Sequence, residues 1–175
     1  SEFALCFGGN EMPGYHTGPA ALLGNLTGSR HSHLDSAGYS VDQKSFQKED
    51  QLGPEAAATL LIEEERWRQV LSSLVICFFA RAIYTPQIVA RALEVMGWDL
   101  IDEDLTRIGV EILRAKYEFK LHEGYDSRKV RLPRRVLETS TPLGPVTEEY
   151  LRRGIQSYMN QLGLSESGKV HVSES

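Results

Sequence analysis

The residues of this chain whose types and spacing could do chemistry are few. Arg30-His31-Ser32-His33 places two imidazoles two positions apart in a stretch of turn-forming composition. Such a pair can ligate a metal or move protons near neutral pH. Read from the residues alone, exposed loop histidines are the simpler reading. Cys77 lies within the longest unbroken apolar run, 74–80. It reads as a small core hydrophobe or as one thiolate ligand to a soft metal cluster whose other ligands come from elsewhere. The third candidate is Arg128-Lys129-Val130-Arg131-Leu132-Pro133-Arg134-Arg135, a basic strip that could attract an anionic partner. It contains no aromatic residue for base stacking, and acidic residues follow at Glu138, Glu148 and Glu149. A solvated surface or interdomain salt links is the simpler reading.

The elements that must position these groups are helical. Residues 1–53 are rich in Gly, Ser and His and form a loop-rich segment; Pro19–Leu26 is expected to be a short helix, with proline in its first turn. Thr27-Gly28-Ser29 and Asp35-Ser36-Ala37-Gly38 read as turns. Residues 54–164 form a helical domain carrying Cys77, and 165–175 a polar tail. The first long helix opens at Pro54-Glu55, with Leu60, Trp67, Leu71, Leu74 and Phe78 inward. Glu63, Glu64, Glu65, Arg66 and Arg68 form its wet face. Its end, Leu74-Val75-Ile76-Cys77-Phe78-Phe79, is apolar on every side, which predicts burial on every side and puts Cys77 in the driest stretch. A second helix starts at Thr85-Pro86, with Ile88, Ala92, Leu93 and Met96 inward, and stops at Gly97. A third is capped by Asp102 or Asp104, carries the stripe Leu105, Ile108, Ile112, Ala115 and Phe119, and ends at Gly124. The last is capped by Thr147, carries Tyr150, Leu151, Ile155, Tyr158 and Leu162, and stops at Gly163. The fold class expected is all-α.

Composition bounds the function. The chain has 175 residues, a hydrophobic fraction of 41% and a net charge of −5, which fits a globular domain and argues against a protein built to neutralise phosphates. The apolar run is far shorter than the roughly 20 residues of a membrane span. No basic flank followed by an apolar core marks a signal peptide. Two cysteines, Cys6 and Cys77, cannot build a disulfide framework or a complete cluster site. The start at Ser1, running straight into an apolar stretch, reads as a cut within a longer protein.

Taken in order, the motifs resemble one family. Glu11-Met12-Pro13-Gly14-Tyr15 resembles E-x-P-x-Y, and Thr27-Gly28-Ser29-Arg30-His31-Ser32-His33-Leu34 is similar to T-S-x-R-G-A-x-H-L. Ser72-Ser73-Leu74-Val75-Ile76-Cys77 resembles D-x-L-G-L-C, and Asp104-Leu105-Thr106-Arg107-Ile108-Gly109 resembles E-E-L-x-x-I-G. Phe119-Lys120-Leu121-His122-Glu123-Gly124-Tyr125 falls where the family has F-N-x-R-E-G-F, and Leu132-Pro133-Arg134-Arg135 where it has L-P-x-R. These are motifs of the C-terminal region of the tungsten-containing aldehyde ferredoxin oxidoreductases.

The resemblance implies a tungsten (or molybdenum) bis-pterin and a four-iron, four-sulfur cluster in the full-length enzyme. It also implies oxidation of aldehydes to carboxylic acids, with electrons passed to ferredoxin in the cytoplasm. It puts the fourth cluster ligand at Cys77, cofactor contacts at Ser72, Leu74 and Ile76, and the active-site histidine at His33, or at His31 if the gap is placed otherwise. Its partners would be the missing N-terminal half and ferredoxin, with neither nucleic acid nor membrane and with an oligomer left open. The fragment alone is expected to be apo and inactive. Ser72 replaces the motif's aspartate, Val75 its glycine, Lys120 an asparagine and His122 an arginine. The competing reading is a non-enzymatic helical interaction module using Arg128–Arg135.

Overall fold

The computed structural model describes residues 6–7, 10–11, 18–29, 32, 35–47 and 51–164. Strands β1 (Cys6–Phe7) and β2 (Asn10–Glu11) pair antiparallel, Cys6 opposite Glu11. Apart from an isolated bridge between Thr141 and Gly144, the other regular structure among the described residues is helical, with α1 (Pro19–Thr27), α2 (Gly38–Phe46), α3 (Pro54–Ser73), α4 (Pro86–Glu94), α5 (Asp102–His122), α6 (Arg134–Glu138) and α7 (Glu148–Gln161). The chain is all-α, as its periodicity indicates.

Helix α3 is the axis, packing along α5 and α7, with α1 and α2 also packed against it. The main core joins Leu22, Leu23 and Leu26 of α1 to Ala57, Ala58 and Leu61 of α3, Leu113 and Tyr117 of α5, and Leu151, Ile155 and Tyr158 of α7. The loop-rich first segment therefore contributes to the same core as the helices after Pro54. A second, smaller core joins Val70 and Leu71 at the end of α3 to Val89 of α4 and Leu105 of α5.

Most expected boundaries appear where the local chemistry puts them. Thr85 and Thr147 cap α4 and α7 by accepting the backbone N–H of Ile88 (3.4 Å) and Tyr150 (3.1 Å). Gly97, Gly124 and Gly163 take positive φ just past three helix ends. Asp102 is the first residue of α5 rather than its cap; Asp104 reaches back to accept the N–H of Ile101 at 3.2 Å. Helix α2 begins where the sequence reads as a turn. Its weak apolar pattern is compensated by tertiary bonds: Asp42 accepts the N–H groups of Ala20 (3.0 Å) and Ala21 (2.8 Å), satisfying the first turn of α1.

The inward faces differ from those expected in three helices. In α5 the buried line is Leu105, Gly109, Leu113 and Tyr117, while Ala115 and Phe119 are exposed and Ile108 and Ile112 half-buried. The reason is Gly109: a Cβ there would lie 2.3 Å from the carbonyl oxygen of Arg66, so only a glycine face lets α5 approach α3 this closely. In α4 only Val89 is buried; Leu93 is partly covered, and Ile88, Ala92 and Met96 face outward because α4 touches its neighbours along a single row.

In α3 the buried set is Ala57, Ala58, Leu61, Ile62, Glu65, Arg68, Gln69, Val70 and Leu71. Leu60 and Leu74 are exposed, and Trp67 and Phe78 are half-buried. Two residues assigned to the wet face are thus inside, Glu65 at 1% and Arg68 at 6% exposure.

Glu65 is tied on all sides. Its carboxylate accepts the N–H of Ala37 at 3.2 Å and the hydroxyl of Tyr158. Arg68, Lys120, Tyr117 and Tyr158 are the charged and titratable groups around it. Burial nonetheless raises its pKa from the ordinary 4.5 to about 7, the hydrogen bonds and the two cations opposing that rise only in part. Between these two values the unfolded chain has released the proton and the folded one has kept it, so stability falls as pH rises through the window. Wild-type protein is expected to lose on the order of 2–3 kcal/mol between pH 4.5 and 7.5 through this group. Urea unfolding at several pH values should show a correspondingly flatter profile for Glu65→Gln. Gly109→Ala is expected to destabilise by about 2–3 kcal/mol, because the α3 backbone must move aside, and the same unfolding curves measure it.

Candidate functional site

The site expected from sequence has two halves, a histidine-bearing connection between α1 and α2 and a thiol-bearing loop after α3. His31 and His33 lie outside the described residues; the two ends of their connection do not. At its start Gly28 O accepts a bond from Lys120 Nζ at 2.9 Å, and Leu26 O one from the Tyr125 hydroxyl at 3.3 Å. At its end Ser36 O accepts from Arg68 Nη1 at 2.6 Å, beside the Ala37 N–H held by Glu65. Lys120 Nζ also stands 4.0 Å from the Tyr125 ring centroid and 5.2 Å from that of Tyr117. Burial lowers its pKa to about 8, against the pull of Glu65.

The thiol loop corrects the expectation of a buried cysteine. Helix α3 ends at Ser73 rather than running on through Phe78. The Val75 N–H bonds to Ser72 O (3.1 Å) and the Ile76 N–H to Leu71 O (3.0 Å), the pair of bonds that closes a Schellman end. Val75 occupies the left-handed position at φ +58, the one non-glycine residue with positive φ among the described residues. The apolar run therefore leaves the helix. Ser72, Leu74 and Cys77 are exposed, Val75 is 91% and Phe79 84% exposed, and Ile76 alone of the expected contacts packs partly against the smaller core. Cys77 precedes one turn of 3₁₀ helix, Phe78–Ala80, and its carbonyl accepts the Ala80 N–H at 2.9 Å.

One side chain touches both halves. Arg68, besides holding Ser36 O, donates from Nη2 to Ser40 Oγ at 2.8 Å. Its guanidinium carbon lies 4.7 Å from the centroid of the Phe78 ring, which Arg81 approaches at 4.0 Å. The residue after Cys77 is thus stacked on the arginine that fixes the end of the histidine-bearing connection. Sequence reasoning missed Arg68 and Glu65 because charge was taken as a sign of exposure. The line Ala58, Leu61, Ile62, Glu65, Gln69 at three- and four-residue steps was the signal that could have found the acid.

Among the described residues, no three His, Cys, Asp or Glu side chains are grouped so as to hold a metal ion. A thiolate is a ligand type suited to soft metals, and Cys77 is exposed on the turn after α3. The basic strip is largely paired in place: Arg128 (3.0 Å) and Lys129 (3.6 Å) with Asp126, Arg134 with Glu138 (2.6 Å). The hydrogen bonds from Arg128 hold the Asp126 carboxyl down to about 2. No helix among the described residues is long and apolar enough to cross a membrane.

Among the described residues the chain is helical and presents an exposed thiol, Cys77, on a loop that shares Arg68 with the exit of the α1–α2 connection. A family profile described as "Aldehyde ferredoxin oxidoreductase, domains 2 & 3" matches residues 1–174, and the chain belongs to that family. Among its relatives are the tungsten-containing aldehyde ferredoxin oxidoreductases of Pyrococcus furiosus, 36% identical over 78 residues, and Pyrococcus abyssi, 35% identical over 78 residues. Each alignment covers 43% of this chain and 13% of the relative, so the chain matches a small part of those enzymes. No solved structure matches it.

The end of α3 carries a measurable cost. A β-branched residue held at φ +58 is strained by roughly 1–2 kcal/mol relative to glycine. Val75→Gly is expected to raise the unfolding free energy by about 1 kcal/mol, checked by urea or thermal denaturation.

Proposed function

We propose that this chain forms the helical C-terminal part of a tungsten or molybdenum pterin oxidoreductase that converts aldehydes to carboxylic acids in the cytoplasm, with ferredoxin as electron acceptor. The observation that carries the reading is the exposed Cys77 thiol, on a turn that Arg68 ties to the histidine-bearing connection. Aldehyde and water give acid, two protons and two electrons. When bound, the metal pterin supplies the two-electron oxidation and the iron–sulfur cluster the one-electron exit.

The chain's own residues do the rest. Cys77, as thiolate, provides one cluster ligand, and the turn between Leu74 and Phe78 sets where its sulfur stands. Ser72, exposed in the last turn of α3, offers a hydroxyl to the pterin where the family motif has a carboxylate, and Leu74 and Ile76 flank it. His33, with His31 as the alternative, orients the aldehyde oxygen and takes a proton as the acid forms. The exposed apolar residues Val75, Phe79 and Ile83 give the same face a surface that a further part of the enzyme can cover and keep dry. The 175 residues alone carry no turnover.

Expressed anaerobically at full length, the protein is expected to hold about four irons and one tungsten or molybdenum per chain. Cys77→Ser should lose or destabilise the iron, and His33→Ala should lower aldehyde turnover by about 100-fold or more at unchanged metal content. Elemental analysis and a dye-linked aldehyde assay read both. A metal-free full-length protein sinks the proposal.

A further inference from the structure

Arg68 has no part in the chemistry proposed above, yet its position is specific. It is a cation buried at 6% exposure, and burial depresses its pKa against the pull of Glu65 and Glu64. Retaining a charge there costs desolvation that an apolar side chain would avoid, so its return must be structural. The contacts that supply it include Nη1 to Ser36 O (2.6 Å), Nη2 to Ser40 Oγ (2.8 Å) and the guanidinium carbon over the Phe78 ring (4.7 Å). Ser36 and Ser40 flank the start of α2; Phe78 follows Cys77.

We propose that Arg68 is a positioning residue that fixes the exit of the α1–α2 connection and the Cys77 loop against one another. The inference deepens the functional reading and rests on it for the consequence in catalysis. The planar guanidinium is what the job requires, because its forked donors lie in the plane whose face stacks on an aromatic ring. A lysine has the charge and neither the fork nor the face. Glu65 stands three residues earlier on the same helix and holds the neighbouring Ala37 N–H, so the exit is gripped by an acid and a base at once. Lys120, in the place of the family's asparagine, pins the other end at Gly28 O. The two ends of the connection are thereby held by charged side chains, buried Arg68 and Glu65 at the exit and half-buried Lys120 at the start, and among the described residues it is the exit that is tied to the thiol loop.

Hydrogen exchange on the full-length protein tests this without requiring turnover. Arg68→Lys is expected to speed amide exchange in peptides covering 36–42 and 76–84 by about tenfold, while peptides of α5 and α7 stay within about twofold of wild type. Acceleration throughout the chain, or in neither segment, overturns the proposal. Should Arg68→Lys fail to fold, Ser40→Ala and Phe78→Leu each remove one arm. The first should loosen 36–42 alone and the second 76–84 alone, and any other pattern overturns the proposal. In the metal-loaded enzyme the same loosening is expected to lower kcat by about tenfold or more with KM changed less than threefold. Selective loosening with kcat unchanged upholds Arg68 as the anchor and overturns the catalytic reading of the histidines instead.

Discussion

The structure depends on one face of α3 carrying titratable, hydrogen-bonding groups into the interior. Glu65 sits where α3, α7 and the start of α2 meet, and its two oxygens are taken by the Ala37 N–H and the Tyr158 hydroxyl. A carboxyl so placed cannot be solvated, and its partners cannot be replaced piecemeal, because each would leave a buried polar group without compensation. Tyr158 in turn packs its ring 5.8 Å from that of Tyr117, and Lys120 stands over Tyr117. The acid therefore links four elements, and the apolar core of leucines and alanines closes around it. Hydrophobic burial supplies most of the driving force, and the polar network ties the helices at defined points within it.

Helix existence and type were legible in the sequence, because capping threonines, helix-stopping glycines and prolines act locally. Thr147 and Gly163 bound the last helix as their chemistry dictates, and Leu151, Ile155, Tyr158 and Leu162 line its buried side. What was not legible depended on partners far along the chain. The inward face of α5 is defined by Gly109, a residue without hydrophobicity, because closeness to the α3 backbone outweighs the apolar area of Ile108, Ile112 and Phe119. Helix α2 is held by Asp42 and Arg68, contacts that span 21 and 28 residues respectively and leave no mark on a local window.

The candidate site divides the same way. The motif order was enough to reach the family, and the cysteine it singles out stands on an ordered turn. By periodicity the run Leu74–Phe79 continues α3, and in a helix uniform apolarity means burial. In the structure the helix stops first, and the apolar side chains become surface. The same hydrophobicity then has a different meaning: a face that lacks a cover within the described residues rather than a core.

The two departures from the family motif at this helix end bear on one another. Ser72 replaces a carboxylate and Val75 a glycine, yet the turn retains the left-handed conformation that glycine would adopt without strain. A strained conformation persists only where the surroundings over-determine it. Here they do, through the Schellman bonds from Val75 and Ile76, the seating of Ile76 on the smaller core, and the contacts of the Phe78 ring with Arg68 and Arg81. The position of the Cys77 thiol is thus set by contacts on both of its sides. Glycine at position 75 would relieve the strain at φ +58 while removing none of these contacts, so the residue type tunes the stability of the turn and the contacts set its path.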